Sequence, residues 1–153
     1  MNCYIKLFLI LCLNLKFIFG TDNSKNDKEL INSSLLGYFS KVDEKDPENM
    51  YEYIKLPFIL NFESKEPLNI KSKEEFIEVF ELWGRSEKAN YLKTILDSVA
   101  YTEIHEDFMW VGDVIYSRVG VKSNRKETNR SLYYFVKKED NWKIYMVSSV
   151  DLE

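Results

Sequence analysis

The first half of the chain carries apolar residues at the spacing of α-helices. Positions 30, 31, 35, 36 and 39 are apolar, which predicts an amphipathic helix over about 27–41. Asp46 followed by Pro47 is typical of a helix start, because the carboxylate caps free backbone N–H groups and proline fits the first helical position. This pair predicts a short second helix, which Pro57 ends.

A third helix is predicted from residue 72 by a capping box and an apolar face. Ser72 and Glu75 have the spacing at which each side chain bonds a free backbone N–H at the helix start. The apolar face behind them consists of Phe76, Val79, Phe80 and Trp83. Gly84 ends this helix, and the apolar run 58–62 before it predicts a strand followed by a loop.

The second half of the chain loses the helical period, and β-branched and aromatic residues alternate with polar turns. We predict four strands, at about 91–105, 108–121, 130–138 and 142–150, which form a meander. The first strand has an alternative, because ANYLKTILDSVA could also continue a helix. Helices followed by a long antiparallel sheet predict an α+β fold with the helices on one face of the sheet.

The N-terminal segment has the features of a secretory signal peptide. Lys6 precedes an apolar run over 7–19, and Gly20 stands where a small residue precedes cleavage. The run is shorter than the about 20 apolar residues of a membrane span, although a retained anchor is the alternative. We therefore expect a signal peptide over 1–20, a flexible lead-in over 21–27 and one folded domain over 28–153. The expected location is secreted or periplasmic.

Charge and residue usage exclude several classes of protein. Lys and Arg number 21 against 25 Asp and Glu, so the basic surface that nucleic-acid binding needs is missing. Cys3 and Cys12 both fall within the expected signal peptide, so the mature chain can form no disulfide and no thiolate zinc site. A single histidine also disfavours a zinc or non-haem iron site, although carboxylates alone could hold a loosely bound calcium, and we expect neither a metal nor another cofactor. Asn32 and Asn129 match the glycosylation acceptor pattern, which matters only in a eukaryotic host.

Two stretches of the chain resemble a known family. They are FILNFESKEPLNIKSKEEFIEVFELW, a strand, loop and helix, and RSLYYFVKKEDNWKIYMVSS, a closing hairpin with Trp142-Lys143-Ile144 after an acidic turn. With the order of the other elements, they resemble the NTF2-like superfamily, also called SnoaL-like or ketosteroid-isomerase-like. The resemblance implies a strongly curved antiparallel sheet that wraps around the helices as a cone with an open pocket. Members include isomerases, dehydratases, transport adaptors and proteins of no known activity, so the fold does not settle the function.

Three residues are candidates for catalysis. Enzymes of this superfamily place a carboxylate or a His/Asp pair inside the cone, and the resemblance brings Glu63 close to the position of the isomerases' catalytic carboxylate. The alternative is an exposed loop glutamate. His105 is the only histidine of the chain, and it is either a general base or a residue of the rim. Tyr116 would donate a hydrogen bond to a developing oxyanion.

Four residues are candidates for ligand binding. Strand alternation places Arg118 on the face of Tyr116, so a cone lined by that face would hold a cation that can pair with an anionic ligand. A rim arginine paired with a carboxylate is the alternative. Tyr101, Tyr133 and Phe135 belong to an aromatic series that either packs the core or lines an apolar pocket with a few hydroxyls.

These observations favour an exported domain that binds a small hydrophobic or amphipathic ligand, or a protein partner, without chemistry. The alternative is a lyase or isomerase with an in-cone carboxylate or histidine as general base. A third hypothesis is an assembly module, in which two copies pair as a homodimer through the apolar sheet face. We expect no nucleic-acid partner, and no stable membrane span after signal cleavage.

Overall fold

The computed structural model describes residues 25–62, 66–105, 108–121 and 126–152. The predicted signal peptide lies outside these residues. The first helix, α1, occupies residues 25–44 of the described chain, and the short α2 spans Pro47–Met50. The third helix, α3, spans Lys73–Gly84 and begins at the predicted Ser72 cap, whose Oγ accepts from the backbone N–H of Glu75. Two single 3-10 turns follow α2 and α3, at Tyr51–Tyr53 and Glu87–Ala89.

Six strands form one sheet in the order β2-β1-β6-β5-β4-β3. Their bounds are Ile54–Asn61 (β1), Leu68–Ile70 (β2), Tyr91–His105 (β3), Met109–Gly120 (β4), Lys126–Lys138 (β5) and Asn141–Val150 (β6). The α+β fold and the four-strand meander are confirmed, and 91–105 is a strand, not a helix. The sheet is mixed, because β1 pairs in parallel with β6 whereas all other described pairs are antiparallel.

The first strand begins earlier than the hydrophobic pattern predicts. Pro57 lies inside β1 and does not end α2. Its missing N–H is tolerated because the ladder to β6 is interrupted between Ile54 and Ile59, and the pairing with β2 starts only at Phe58. Further register shifts interrupt the β3–β4 and β5–β6 pairs. Such bulges bend strands, so the sheet curves around the helices.

Helix α1 lies across the concave face of this sheet. Its inward stripe is buried and consists of Ile31, Leu35, Tyr38, Phe39 and Val42. At its start, the buried carboxylate of Asp27 accepts hydrogen bonds from Trp142 Nε1 at 3.0 Å and from Lys137 Nζ at 2.9 Å. Residues 25–27, which the sequence assigns to the lead-in, are therefore helical and bonded to the closing hairpin.

Candidate functional site

A cavity of about 190 Å³ lies between the helices and the concave face of the sheet. Its aromatic walls are Tyr38, Phe39, Phe62, Phe80, Trp83, Tyr116 and Tyr133. Its aliphatic walls are Val42, Leu60, Leu68, Val79 and Val147, and its polar lining is Arg118, Ser131 and Ser149. Apolar walls with a few placed polar groups are typical of small-molecule sites.

The local periodicity of each element explains why these side chains meet. Tyr116 and Arg118 are two positions apart on β4, so both point to the concave face. The same alternation brings Ser131 and Tyr133 of β5 inward. On α3, Phe76 fixes the helix to the sheet by ring contacts with Phe58 and Tyr51 at 5.6 and 5.8 Å between centroids. That contact turns the next two turns of α3 toward the cavity.

The guanidinium of Arg118 is surrounded by aromatic rings. Its Cζ atom lies 4.6 Å from the ring centroid of Tyr91, 5.4 Å from that of Tyr116 and 5.6 Å from that of Trp83. Stacking over these faces stabilises the cation but provides no in-plane acceptor for its N–H groups. The Nε atom is buried and, within the described part of the chain, has no hydrogen-bond partner.

The acidic groups that the structure describes near Arg118 are not paired with it. Asp43, at the end of α1, accepts from the N–H and the Oγ1 of Thr94 at 2.8 and 2.6 Å, and Thr94 is the cross-strand neighbour of Arg118. Glu127 is the neighbour on β5, and it forms no ion pair with Arg118. The guanidinium therefore offers free donors at the cavity wall.

Buried phenols complete the polar lining. Burial raises the pKa of Tyr38 and that of Tyr133 well above the ordinary value of a tyrosine, and the charge of Arg118 opposes part of both shifts. Both hydroxyls are thus neutral at physiological pH. Across the described residues, neither hydroxyl is bonded to another protein group, so both can donate to a ligand.

Outside the cavity, the mouth is wider and polar. Lys88, Glu127 and Asn129 line it together with Phe62, Trp83 and Arg118, and it encloses about 430 Å³. Arg118 is therefore shared by the apolar interior and the polar entrance. A ligand with an apolar body and a polar end fits this division.

The structure brings three of the seven predicted site residues together. Tyr116, Arg118 and Tyr133 line the cavity. Phe135 is fully buried in the core, where it contacts the ring of Tyr101 edge-on. Neither residue lines the cavity. The hydroxyl of Tyr101 is bonded to the side chain of Asn32 at 3.1 Å.

Of the two predicted general bases, His105 does not line the described cavity. His105 is exposed at the end of β3, and its ring lies 4.1 Å from that of Phe108. Glu63 lies outside the described residues. The described cavity wall contains no carboxylate and no imidazole. Among the described residues, no group of three or more His, Cys, Asp or Glu could hold a metal ion.

Sequence reasoning missed the helical half of the cavity as a ligand site. Phe39 of α1 and Trp83 of α3 are predicted only as members of apolar helix faces, and Tyr38 of α1 is not predicted at all. The signal was present in part, because Phe39 and Trp83 belong to the apolar stripes that predict the helices. A periodicity shows which face is apolar, whereas the gap between two such faces is a property of the packed structure.

Comparison with known proteins finds similar folds among solved structures. No family model and no curated protein matches the chain. An NTF2-like protein with a cystatin-like fold from Novosphingobium aromaticivorans is 13% identical, covers 94% of this chain and 88% of its own, and has a TM-score of 0.66. An NTF2-like protein from Cytophaga hutchinsonii is 16% identical, covers 82% and 98%, and has a TM-score of 0.61.

A third similar structure carries the name of an enzyme. A candidate scytalone dehydratase from Novosphingobium aromaticivorans is 13% identical, covers 87% of this chain and 89% of its own, and has a TM-score of 0.64. Structural similarity at such low sequence identity shows that the fold is shared and does not show a shared activity. The helices on a bent six-stranded sheet, with the cavity between them, are the fold of the NTF2-like superfamily, and this chain has that fold.

Proposed function

We propose that this domain binds a small amphipathic molecule in the cone cavity and does not transform it. The observation that carries the proposal is the composition of the cavity wall, which is aromatic and aliphatic apart from Arg118, two serines and the phenols. General acid–base catalysis needs a group that titrates near the working pH within reach of the substrate. The described wall offers none.

The cavity size bounds the ligand. An apolar cavity of about 150 Å³ accommodates benzene, and this one has about 190 Å³ and opens to the mouth. One ring with a short chain, or a short acyl chain, therefore fills it. Burial of the apolar part contributes about 25 cal/mol per Å² removed from water.

A larger side chain in the cavity is expected to weaken binding of a small apolar ligand strongly. Val147 lines the cavity, whereas Met146, its neighbour on β6, pairs with Tyr134 on the opposite face of the sheet. We expect Val147→Phe to weaken binding of the neutral probe 3-phenylpropanamide at least tenfold, because the added ring occupies the same space. Met146→Phe, the matched control, should leave the affinity unchanged. Protein-observed NMR titration measures both. Equal affinities in the two variants, or no binding to the unaltered protein, would overturn the proposal.

The lyase or isomerase function has less support. Its general base would have to be Glu63, since His105 is exposed and distant from the cavity wall along β3. The dehydratase name belongs to a structural neighbour that shares only the fold. The homodimer through the outer sheet face stays a prediction, which light scattering of the purified domain tests.

We also propose that the domain works outside the cytoplasm. The support is the basic, apolar and small-residue pattern of residues 1–20. None of the helices in the described residues is long and apolar enough to cross a membrane. We expect the intact mass of the protein recovered from its host to correspond to a chain that begins at Thr21. A mass that includes residues 1–20 would contradict cleavage and favour a retained anchor.

A further inference from the structure

Resting on the proposed function, we propose that the ligand is a monoanion, a small aromatic or short-chain carboxylic acid whose carboxylate pairs with Arg118. The apolar body of the acid would occupy the cavity, and its carboxylate would lie where the cavity meets the mouth. The size and apolar walls of the cavity do not determine the charge of the ligand, whereas the surroundings of Arg118 do.

The surroundings of Arg118 call for an acceptor that the described residues do not supply. A guanidinium carries five N–H donors, and burying a charge without partners is unfavourable. The rings of Trp83, Tyr91 and Tyr116 surround Cζ, but a ring face is not a substitute for an in-plane acceptor. Arg118 forms no ion pair with a described carboxylate, and its buried Nε is unsatisfied. A ligand carboxylate at the cavity wall would accept two parallel hydrogen bonds from the terminal Nη groups of this guanidinium.

The charges around the cavity favour one negative charge on the ligand. Arg118 is the single charged residue in the described cavity wall. A second, polar depression lies beside the mouth and is also lined by Arg118. Its other charged residues are two lysines and two glutamates, whose charges balance: Lys88, Lys126, Glu87 and Glu127. Among the described residues that line the entrance, the net positive charge therefore comes from Arg118. A second negative charge on the ligand would meet Glu127 and would not be neutralised.

The phenols support the same ligand chemistry. Burial raises the pKa of Tyr38 and of Tyr133, so these hydroxyls stay protonated and bring no negative charge to compete with an acid. They can donate to a ligand oxygen that Arg118 does not reach. An apolar pocket with one cation and neutral donors discriminates an acid from its amide, because only the acid neutralises the cation.

A matched pair of compounds tests the inference. 3-Phenylpropanoate and 3-phenylpropanamide have the same size and differ in charge. We expect the acid to bind the unaltered protein at least tenfold more tightly than the amide at neutral pH, because hydrogen bonds between charged groups contribute more than neutral ones. Arg118→Gln should remove this preference, because it weakens binding of the acid much more than binding of the amide. Arg85→Gln is the charge-matched control, since Arg85 is exposed at the end of α3 and pairs with Glu81.

The outcomes separate this inference from the proposed function. Failure of both compounds to bind overturns the proposed function and the inference together. Equal binding of acid and amide, or a preference for the acid that survives Arg118→Gln, overturns the inference alone. If Arg118→Gln does not fold, titration of the unaltered protein decides: the preference should vanish as the acid is protonated below about pH 4, while amide binding is constant. A preference that persists below that pH refutes the pairing.

Discussion

We expect Phe76→Ala to lower the free energy of unfolding by about 3–5 kcal/mol, the usual cost of removing a fully buried phenylalanine. Phe76 is 0% exposed and is the one fully buried residue of α3, a helix that lies entirely within the described chain. Its ring contacts those of Tyr51, Phe58 and Phe80, with centroids 5.8, 5.6 and 4.5 Å away. The alanine variant would leave a void at this junction of helix and sheet.

The loss extends to the cavity, because α3 supplies one of its walls. Val79, Phe80 and Trp83 reach the cavity only while Phe76 holds the helix against β1. Binding of 3-phenylpropanamide should therefore weaken together with stability. Leu82→Ala is the control on the same helix, since Leu82 is 61% exposed and its loss should cost about 0.5 kcal/mol or less. Urea denaturation measures both variants. Similar midpoints for the two would show that Phe76 is not the anchor of α3.

The second large effect concerns the start of α1. We expect Asp27→Ala to lower the free energy of unfolding by about 2–3 kcal/mol, because it leaves the buried indole N–H of Trp142 and the ammonium of Lys137 without their acceptor. The Asp27 side chain is only 7% exposed, so water replaces little of what is lost. The exposed Asp140, in the turn between β5 and β6, is the matched control, and Asp140→Ala should change stability by about 0.5 kcal/mol or less.

Asp27→Asn divides this effect into its two parts. The amide keeps an oxygen that can accept from Trp142 but loses the charge that pairs with Lys137. Its stability should lie between those of the unaltered protein and Asp27→Ala. Thermal unfolding followed by circular dichroism ranks the three proteins. An alanine variant as stable as the asparagine variant would contradict the role of the Trp142 bond.

Elements with strong local signals could be predicted from the sequence. The Ser72 capping box starts α3 where its spacing places it, and the meander follows the alternation of β-branched and aromatic residues. The structure differs most from the sequence-based prediction where the local sequence signals are weakest. Pro57 marks a helix end by local rules, yet it lies in β1, because tertiary pairing with β2 and β6 continues on its C-terminal side. Residues 25–27 have a polar, loop-like composition, but the bonds of Asp27 hold them in the helix.

Some residues of the candidate site could likewise be predicted from the sequence, and others could not. Alternation along β4 predicts that Tyr116 and Arg118 share a face, and both line the cavity together with Tyr133. Phe135 is fully buried in the core, and the half-buried Tyr101 contacts its ring and bonds Asn32, so neither lines the cavity. Periodicity gives the face of a residue, and it does not give the distance of the opposite wall.

By itself, the sequence determined the capped start of α3, the order of helices before a meander and the shared face of Tyr116 and Arg118, because these depend on spacings of a few residues along one chain. Only the tertiary structure decided that β1 pairs in parallel with β6 and that a cavity persists between α1, α3 and the sheet. It also decided that Arg118 lies among Trp83, Tyr91 and Tyr116 without a carboxylate partner. These features depend on contacts between residues far apart in the chain, which no local pattern records.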